Sequence, residues 1–197
     1  MTANRTVAGN ISLSLDGRVT GRGGDHDMSW VGRHAVADAP RDLMTRMIDT
    51  ATTALLGRKN YEGFAGYWPQ VAQAEDADPR DRAFAQWLDK VEKVVFSSTL
   101  TEATWQNARI AADDLVTEIQ RLRSEPGGDI VVLSSHTIIA ALLEAEELDR
   151  LQITLCPELV GGGIKLFPEE MPATSWSLTD LATSETGAVC LIYDRIR

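Results

Sequence analysis

The fold is decided by the stretch Ala54-Leu55-Leu56-Gly57-Arg58-Lys59-Asn60-Tyr61-Glu62. A short apolar run ends at Gly57-Arg58 and passes directly into residues typical of a helix. A buried strand there would bring the chain to a sheet edge, Gly57 would let the backbone approach an anion, and the first free N–H groups of the helix would point at it. Arg58 would add positive charge. The stretch predicts a phosphate-binding turn, and the alternative is a surface turn that carries two solvated cations.

Length and charge limit the classes of protein to consider. The chain has 197 residues, so we expect residues 1–197 to form a single domain large enough to bury its own core. Its formal net charge of −10 argues against a surface that binds nucleic acid or an anionic membrane. A local cationic pocket for a small anion remains compatible with that charge.

The cysteines and the N-terminal residues bear on metal binding and compartment. Cys156 and Cys190 are too few for a disulfide framework and lack metal-ligand spacing, so we expect two core thiols on strands and no metal site. No apolar run is long enough to span a bilayer, and the first residues lack the apolar segment of a signal peptide. A cytoplasmic protein is expected.

Strands and helices alternate over most of the chain. Thr6 to Ser14 alternates like a half-buried strand, and a helix begins near Asp38 with Pro40 in its first turn. Helical patterns also precede the apolar runs Lys93 to Phe96 and Ile130 to Leu133. The last part of the chain shows only strands, which we expect to pair antiparallel: Leu151 to Leu155, Trp176 to Leu181 and Val189 to Arg195. An α/β domain with a parallel core and antiparallel C-terminal strands follows.

Small or hydroxyl-bearing residues follow three of the predicted parallel strands. They are Gly57-Arg58, Ser97-Ser98 and Ser134-Ser135. In open α/β sheets ligands bind outside the carboxyl ends of the strands, so the three pairs favour a nucleotide crevice. His136 is either a further phosphate partner or an exposed residue at the start of a helix.

Four motifs, in this order along the chain, carry a resemblance to a known family. They are Ser14-Leu15-Asp16-Gly17-Arg18, Leu55 to Glu62 with Phe64 and Tyr67-Trp68-Pro69, Val94-Val95-Phe96-Ser97-Ser98, and Leu148-Asp149-Arg150-Leu151 through Pro157-Glu158-Leu159-Val160-Gly161-Gly162-Gly163. The chain resembles the dihydrofolate reductase-like superfamily, and within it the C-terminal reductase domain of the bacterial riboflavin deaminase-reductase and its stand-alone relatives. The resemblance implies a three-layer fold around a mixed eight-stranded sheet, NADPH as hydride donor, and a pterin-like or pyrimidine substrate.

The resemblance also assigns cofactor residues. It implies that Gly57 and Arg58 lie at the cofactor phosphates, with Asn60 where the family usually has Thr. By the same resemblance Ser97 and Ser98 flank the adenine-ribose half, and Gly162 belongs to a glycine-rich turn near the nicotinamide.

The pair Ser134-Ser135 departs from the family, which usually has Gly-Gly at the pyrophosphate. Two Cβ atoms stand where the family has none. They either crowd the pyrophosphate, or the two hydroxyls and the following helix N-terminus, with His136, replace the lost contacts.

On the substrate side the resemblance implies a site formed by the strand around Asn10, the glycine-rich segment Gly21 to Met28, and Trp30. Basic residues would hold a ribose phosphate in the riboflavin branch, and Arg46 is one candidate, although it reads equally as a solvated charge. Asn10 stands where that branch usually has Lys. In the folate-reducing branch a carboxylate early in the first helix orients the ring for protonation, and Asp42 lies near that position. The alternative is that Asp42 only complements the helix dipole.

The resemblance implies an NADPH-dependent reductase that transfers hydride to a heterocycle. The rival is a non-catalytic binding protein that keeps the fold and has lost cofactor turnover through Ser134-Ser135. The aromatic residues Tyr61, Phe64, Tyr67 and Trp68 lie too close together in sequence for all to be buried, so we expect an exposed patch and a homodimer.

Overall fold

The computed structural model describes residues 5–24, 27–167 and 169–197. Along this part of the chain the elements are β1 (Val7–Ser14), α1 (Gly32–Ala35), α2 (Asp38–Thr50), β2 (Ala51–Gly57), α3 (Arg58–Gln73), α4 (Pro79–Lys90), β3 (Glu92–Phe96), β4 (Ala108–Ile110), α5 (Leu115–Ser124), β5 (Asp129–Leu133), α6 (His136–Glu144), β6 (Arg150–Cys156), β7 (Ser175–Thr183) and β8 (Val189–Ile196). In the described residues these strands form one eight-stranded sheet in the order β4-β3-β2-β5-β1-β6-β8-β7.

The strand directions confirm a mixed, mostly parallel sheet with antiparallel C-terminal strands. β8 pairs antiparallel with β6 and with β7, as expected for the end of the chain. On its other side β6 pairs parallel with β1, from Ala8 opposite Arg150 to Ser14 opposite Cys156. The expected antiparallel pairing among the C-terminal strands is confirmed, and β6 also joins the parallel part of the sheet because α6 carries the chain across β1 and returns it in the same direction.

Helices cover both faces of the sheet. On one face, called the α6 face, Ile119 of α5 and Ile139 of α6 are buried in a cluster with residues of the central strands such as Leu55. On the opposite face, called the α2 face, Met47 of α2 and Leu88 of α4 are buried in a cluster that also contains α3. The three layers expected from the resemblance are confirmed.

A crevice opens where neighbouring strands send the chain to opposite faces. After β2 the chain enters α3 on the α2 face, whereas after β5 it enters α6 on the α6 face. Since β2 and β5 are adjacent and parallel, their carboxyl ends diverge at a switch point of the kind where α/β folds bind ligands. We call this place the crevice, and Gly57 and Ser134 stand on its two sides.

The aromatic residues pack inside the molecule to a greater extent than expected. Tyr61 is buried, and its hydroxyl accepts a hydrogen bond from the backbone N–H of Trp105. The ring of Trp68 meets Phe84 of α4 edge-on at 4.7 Å between centroids. Only Tyr67 of the four is among the exposed large apolar side chains, with 61% of its surface accessible. The four residues are therefore not all buried, as expected, but the exposed part is mainly Tyr67, and the homodimer stays a prediction for light scattering to test.

Both cysteines are buried on strands, as expected for core thiols. Burial raises the pKa of the Cys156 thiol to about 11. Within the described ranges no helix combines the length and the apolar character needed to cross a bilayer.

Candidate functional site

The hydroxyl of Ser135 fastens the two sides of the crevice together. Ser135 is only 3% exposed, and its Oγ accepts hydrogen bonds from the backbone N–H of Gly57 at 2.9 Å and from Nδ2 of Asn60 at 3.0 Å. The same hydroxyl donates to the carbonyl oxygen of Leu133 at 3.0 Å. A hydroxyl has one hydrogen and two lone pairs, so this one is fully used inside the protein. It neither crowds the crevice nor lines it with a free donor.

Ser134 keeps the backbone shape that a glycine would take. Its φ is +51°, in the left-handed region, and its N–H donates to the carbonyl oxygen of Asn10 at 2.9 Å. A side chain costs about 1 kcal/mol in that region. The turn therefore retains the conformation that suits the family's glycine pair although the residues differ.

The helices that open the crevice have no side-chain cap at their N-termini. The flanking residues Gly57 of α3 and Ser135 of α6 place no side chain on the first-turn N–H groups. By contrast, α4 and α5 begin with Asp78 and Asp114, whose carboxylates accept such N–H groups. Two helix N-termini whose flanking residues supply no side-chain cap, together with the positive ends of the two helix dipoles, form a site that fits phosphate.

Cationic and hydroxyl groups surround this pair of helix ends. Arg58 lies at the start of α3 with its side chain 40% exposed and 3.0 Å from the carboxylate of Glu62. His136 begins α6 and is half-buried. Ser97 follows β3, the other neighbour of β2, and its hydroxyl accepts the backbone N–H of Leu100 at 2.8 Å. The structure thus brings together the three predicted strand ends, with exposed Ser98 at the outer side.

The turn that contains Gly162 is held by the segment after β1. The carboxylate of Asp16 accepts the backbone N–H groups of Val160 at 3.0 Å and Gly161 at 2.8 Å. Hydrogen bonds from the Ser14 hydroxyl and from these N–H groups lower the pKa of Asp16 to about 2. The side chain of Arg22, from the segment after β1, packs against this turn. A Cβ placed on Gly162 would be 2.6 Å from Cγ of Arg22. In this structure, access to Gly162 is therefore covered by Arg22.

A group of four polar side chains lies on the α2 face of the two central strands β1 and β6. In the parallel register Asn10 stands opposite Gln152, and Ser12 stands opposite Thr154. Their strand neighbours Ile11 and Ile153 point to the α6 face. We call Asn10, Ser12, Gln152 and Thr154 the polar block.

Two residues of the polar block, Gln152 and Thr154, are buried, and one acceptor atom among them has no partner in the described residues. Gln152 is 6% exposed, and its Oε1 accepts no hydrogen bond from any residue that the structure describes. The hydroxyl of Thr154, also buried, has only the Sγ of Cys190 nearby, at 3.9 Å. Asn10 and Ser12 are half-buried, so solvent reaches the block from the β1 side. Burying unpaired polar groups is unfavourable, and such a surface fits a polar ligand.

Sequence reasoning found Asn10 in this block and missed Gln152 and Thr154. Their alternation with Leu151, Ile153 and Leu155 is typical of a strand with one solvated face. The available signal was the position of that strand directly before Pro157 and the glycine-rich turn. A strand that leads to a ligand-binding turn is central in such folds, so its polar residues are buried.

Trp30 lies just before α1, and its Nε1 is buried with no partner among the described residues. The predicted glycine-rich segment Gly21 to Met28 is described only in part, since Asp25 and His26 fall outside the described residues. Within it the carboxylate of Asp27 accepts the N–H of Gly23 at 3.0 Å.

The structure does not bring Asp42 and Arg46 to the polar block. Asp42 has a side chain 56% exposed, and its carboxylate lies 2.8 Å from Nη1 of Arg80 on α4. Arg46 forms an exposed ion pair with Asp180 at 2.8 Å. The reason is helical geometry: α2 turns Leu43 to the sheet, so the residues next to that buried side point sideways.

Comparison with known proteins agrees with this architecture. The family model of the RibD C-terminal domain matches residues 5–190. The uncharacterized protein YyaP of Bacillus subtilis (strain 168) is 25% identical over 189 residues, which cover 96% of this chain and 94% of that protein.

Solved structures share the fold over nearly the whole chain. A putative riboflavin biosynthesis protein from Shewanella sp. PV-4 superposes with a TM-score of 0.74 at 20% identity, covering 98% of this chain and 99% of that one. Dihydrofolate reductase from Enterococcus faecalis, in complex with NADP(H), superposes with a TM-score of 0.55 at 19% identity, covering 98% of this chain and 97% of that one. The fold is dihydrofolate reductase-like, and the chain belongs to the RibD C-terminal domain family.

Proposed function

We propose that this protein is an NADPH-dependent reductase that transfers hydride to a pterin-like or pyrimidine heterocycle. Membership of the RibD C-terminal domain family and the dihydrofolate reductase-like fold support a reductase-type function. The observation that carries the proposal is the meeting of two uncapped helix N-termini at the crevice, where β5 stands directly between β2 and the β1 strand of the polar block. A phosphate-bearing cofactor and a polar ring each have a suitable surface on adjoining strands.

The crevice residues hold the cofactor phosphates in this proposal. The first-turn N–H groups of α3 and α6 donate to phosphate oxygens, and the Ser135 hydroxyl keeps the two turns in register. Arg58 exchanges its exposed partner Glu62 for the additional phosphate that distinguishes NADPH from NADH. The residues present therefore fit the cofactor.

The polar block orients the substrate ring, and Leu43 of α2, which packs with Cys190 opposite Thr154, helps to keep bulk water away from it. Bound NADPH would supply the hydride from its nicotinamide ring. The block consists of amides and hydroxyls, which do not act as acids near neutral pH. The accompanying proton therefore comes from water that enters on the half-buried side, at Asn10 and Ser12.

A second candidate is a binding protein without turnover. Arg22 favours it, because its side chain covers Gly162 at the turn where the resemblance puts the nicotinamide. For hydride transfer Arg22 has to move away from that turn. Its hydrogen bonds to the carbonyl oxygens of Val160 and Gly161 are exposed, so such a movement costs little.

The test is a titration of the protein with NADPH and NADH, followed by nicotinamide fluorescence. We expect NADPH to bind more tightly, and Arg58→Ala to reduce the NADPH affinity by about 1.5 kcal/mol, the lower end for a charged hydrogen bond because the side chain is partly exposed. Arg197→Ala, which removes another exposed and ion-paired arginine, is the matched control and should change neither affinity. Equal affinities for NADPH and NADH in the parent protein would contradict the assignment of Arg58.

Turnover separates the two candidates. NADPH oxidation is measured with dihydrofolate or 5-amino-6-(5-phosphoribosylamino)uracil as the substrate. Oxidation that depends on either ring supports the reductase. Tight NADPH binding with no oxidation in the presence of both rings would favour the binding protein.

A further inference from the structure

Gln152 stands apart from the other buried polar side chains of the molecule. Lys93 is fully buried, yet its Nζ donates to the carbonyl oxygens of Leu88 and Val91. Arg5 is buried and makes four hydrogen bonds. Among the described residues, no hydrogen bond is made by the buried Oε1 of Gln152.

In the part of the chain that the structure describes, the other unpartnered buried side-chain atoms are Nε1 of Trp30, which lies outside the polar block, and single atoms of charged groups that are bonded through a second atom. Glu118 has an unpartnered Oε2, but its Oε1 accepts from Arg121 at 2.6 Å. Arg123 has an unpartnered Nε, but its Nη2 donates to Asp149 at 2.7 Å. These groups are held in place by their second atom. The acceptor of Gln152, in contrast, is left for a molecule other than the protein.

The surroundings of Gln152 define the chemistry of that molecule. Asn10 stands directly opposite Gln152 on the neighbouring strand, and both side chains point to the α2 face. The polar block contains no charged group, so a charged ligand edge placed there would be desolvated without compensation. A primary amide presents a donor and an acceptor side by side, which matches an –NH–C(=O)– edge through two parallel hydrogen bonds.

We infer that Gln152, with Asn10 beside it, is the specificity-determining residue that recognises the lactam edge of an uncharged heterocyclic substrate. The inference rests on the proposed function for the identity of the site as the substrate site. Gln152 binds and orients the ring and takes no part in the transfer of hydride or proton.

The competing explanation is that a structural water satisfies Gln152. The two explanations predict opposite effects of Gln152→Leu on the empty protein. If the amide waits for a ligand, removing an unpaired buried acceptor raises the midpoint of thermal unfolding by about 2–4 °C. If a water is bound permanently, the substitution breaks its hydrogen bonds and lowers the midpoint.

The experiment measures ring binding directly by ligand-observed NMR, with uracil as the probe and 1,3-dimethyluracil, whose N–H groups are blocked, as its comparator. We expect the parent protein to prefer uracil by about tenfold to hundredfold, and Gln152→Leu to abolish the preference. Gln120→Leu, the same change at an exposed position of α5, is the matched control and should keep both the preference and the stability. Gln152→Glu, which keeps the shape and adds a charge, is the second variant and should also lose uracil binding.

Equal binding of the two rings by the parent protein, or an unchanged preference in Gln152→Leu, would overturn the inference. A destabilised Gln152→Leu would do the same. The NADPH titration is independent of these measurements, because it reports on the crevice. A protein that fails to bind NADPH but prefers uracil through Gln152 would disprove the reductase and keep the recognition site.

Discussion

The two faces of the β1–β6 strand pair differ sharply, although alternate residues of the same two strands form them. On the α6 face Ile11 and Ile153 are buried among apolar side chains of α6. On the α2 face Asn10 and Gln152, in the same register, are polar, and Oε1 of Gln152 has no hydrogen-bond partner among the described residues. Strand alternation allows one pair of strands to stabilise the core with one face and present a ligand surface with the other. Stability and binding should therefore respond to different substitutions.

The largest effect is expected on the apolar face. Ile139→Ala removes a fully buried side chain of α6 and should lower the free energy of unfolding by about 2–5 kcal/mol. Urea denaturation measures the loss. Because the polar block is untouched, uracil binding by the folded variant should equal that of the parent, and a parallel loss of that binding would show that the two faces are not separable.

The serine pair at the crevice should give effects of opposite sign. Ser135→Ala leaves the N–H of Gly57 and the carbonyl of Leu133 without their partner and should destabilise the protein by about 1–3 kcal/mol. Ser134→Gly relieves the left-handed backbone and should stabilise it by up to about 1 kcal/mol. Denaturation of the two single variants tests this, and NADPH titration should show weaker binding for Ser135→Ala only. Equal changes in the free energy of unfolding of both variants would contradict the proposal that Ser135 holds the two sides of the crevice together.

Lys93 shows how a satisfied polar group behaves on the α2 face, since it pairs with Ala54 of the apolar cluster there. Burial lowers its pKa from 10.5 to about 8. The unfolded chain therefore binds more protons than the folded protein between these values, and stability gains from this group as pH rises, by about 1 kcal/mol per pH unit.

The thiol of Cys156 has the opposite effect on stability. Because its pKa is raised in the folded protein, its contribution to the free energy of unfolding falls as pH rises above 9. The difference between the parent protein and Lys93→Met at each pH isolates the lysine. We expect that difference to change in favour of the parent as pH rises from about 8 to about 10. A constant difference would mean that Lys93 has an ordinary pKa.

The smallest effect is expected for Asp42→Asn. Its ion pair with Arg80 is at the surface, where such pairs contribute about 1 kcal/mol or less. We expect a small loss of stability and unchanged NADPH oxidation, in keeping with a proton taken from water. A loss of kcat with unchanged substrate binding would instead support the role that the resemblance implies for Asp42, which is to orient the ring for protonation.

Much of the fold could be predicted from the sequence because its elements are long and regular. The strand ending at Gly57 and the helix starting near Asp38 carry strong local signals, glycine in one and a proline in the first turn of the other. β4 has three residues and no alternation, so no local pattern could show it. The parallel side of β6 depends on where α6 crosses, which is a tertiary property.

The candidate site was less predictable because its key interactions join distant segments. Asn60 and Ser135 were both proposed as phosphate ligands, yet they bond to each other across the crevice. Asp42 has the sequence position of a catalytic carboxylate, and its rotation about α2 decides that it meets Arg80. Gln152 is recognisable as a buried polar residue only in the folded structure, where 6% of its surface is exposed. Residue type and spacing predicted the strand ends but not these pairings.

The position of β1 also constrains how the protein is made. This strand occupies the middle of the sheet, and its partners are β5 and β6, with Val7 opposite Ile130 and Ser14 opposite Cys156. During synthesis one edge of β1 stays open until β5 (Asp129–Leu133) has emerged and the other until β6 (Arg150–Cys156) has emerged, and such long-range pairing is slow. The polar block is therefore assembled among the last contacts. A nascent chain halted before β6 lacks Gln152 and Thr154, so it cannot form the proposed substrate site.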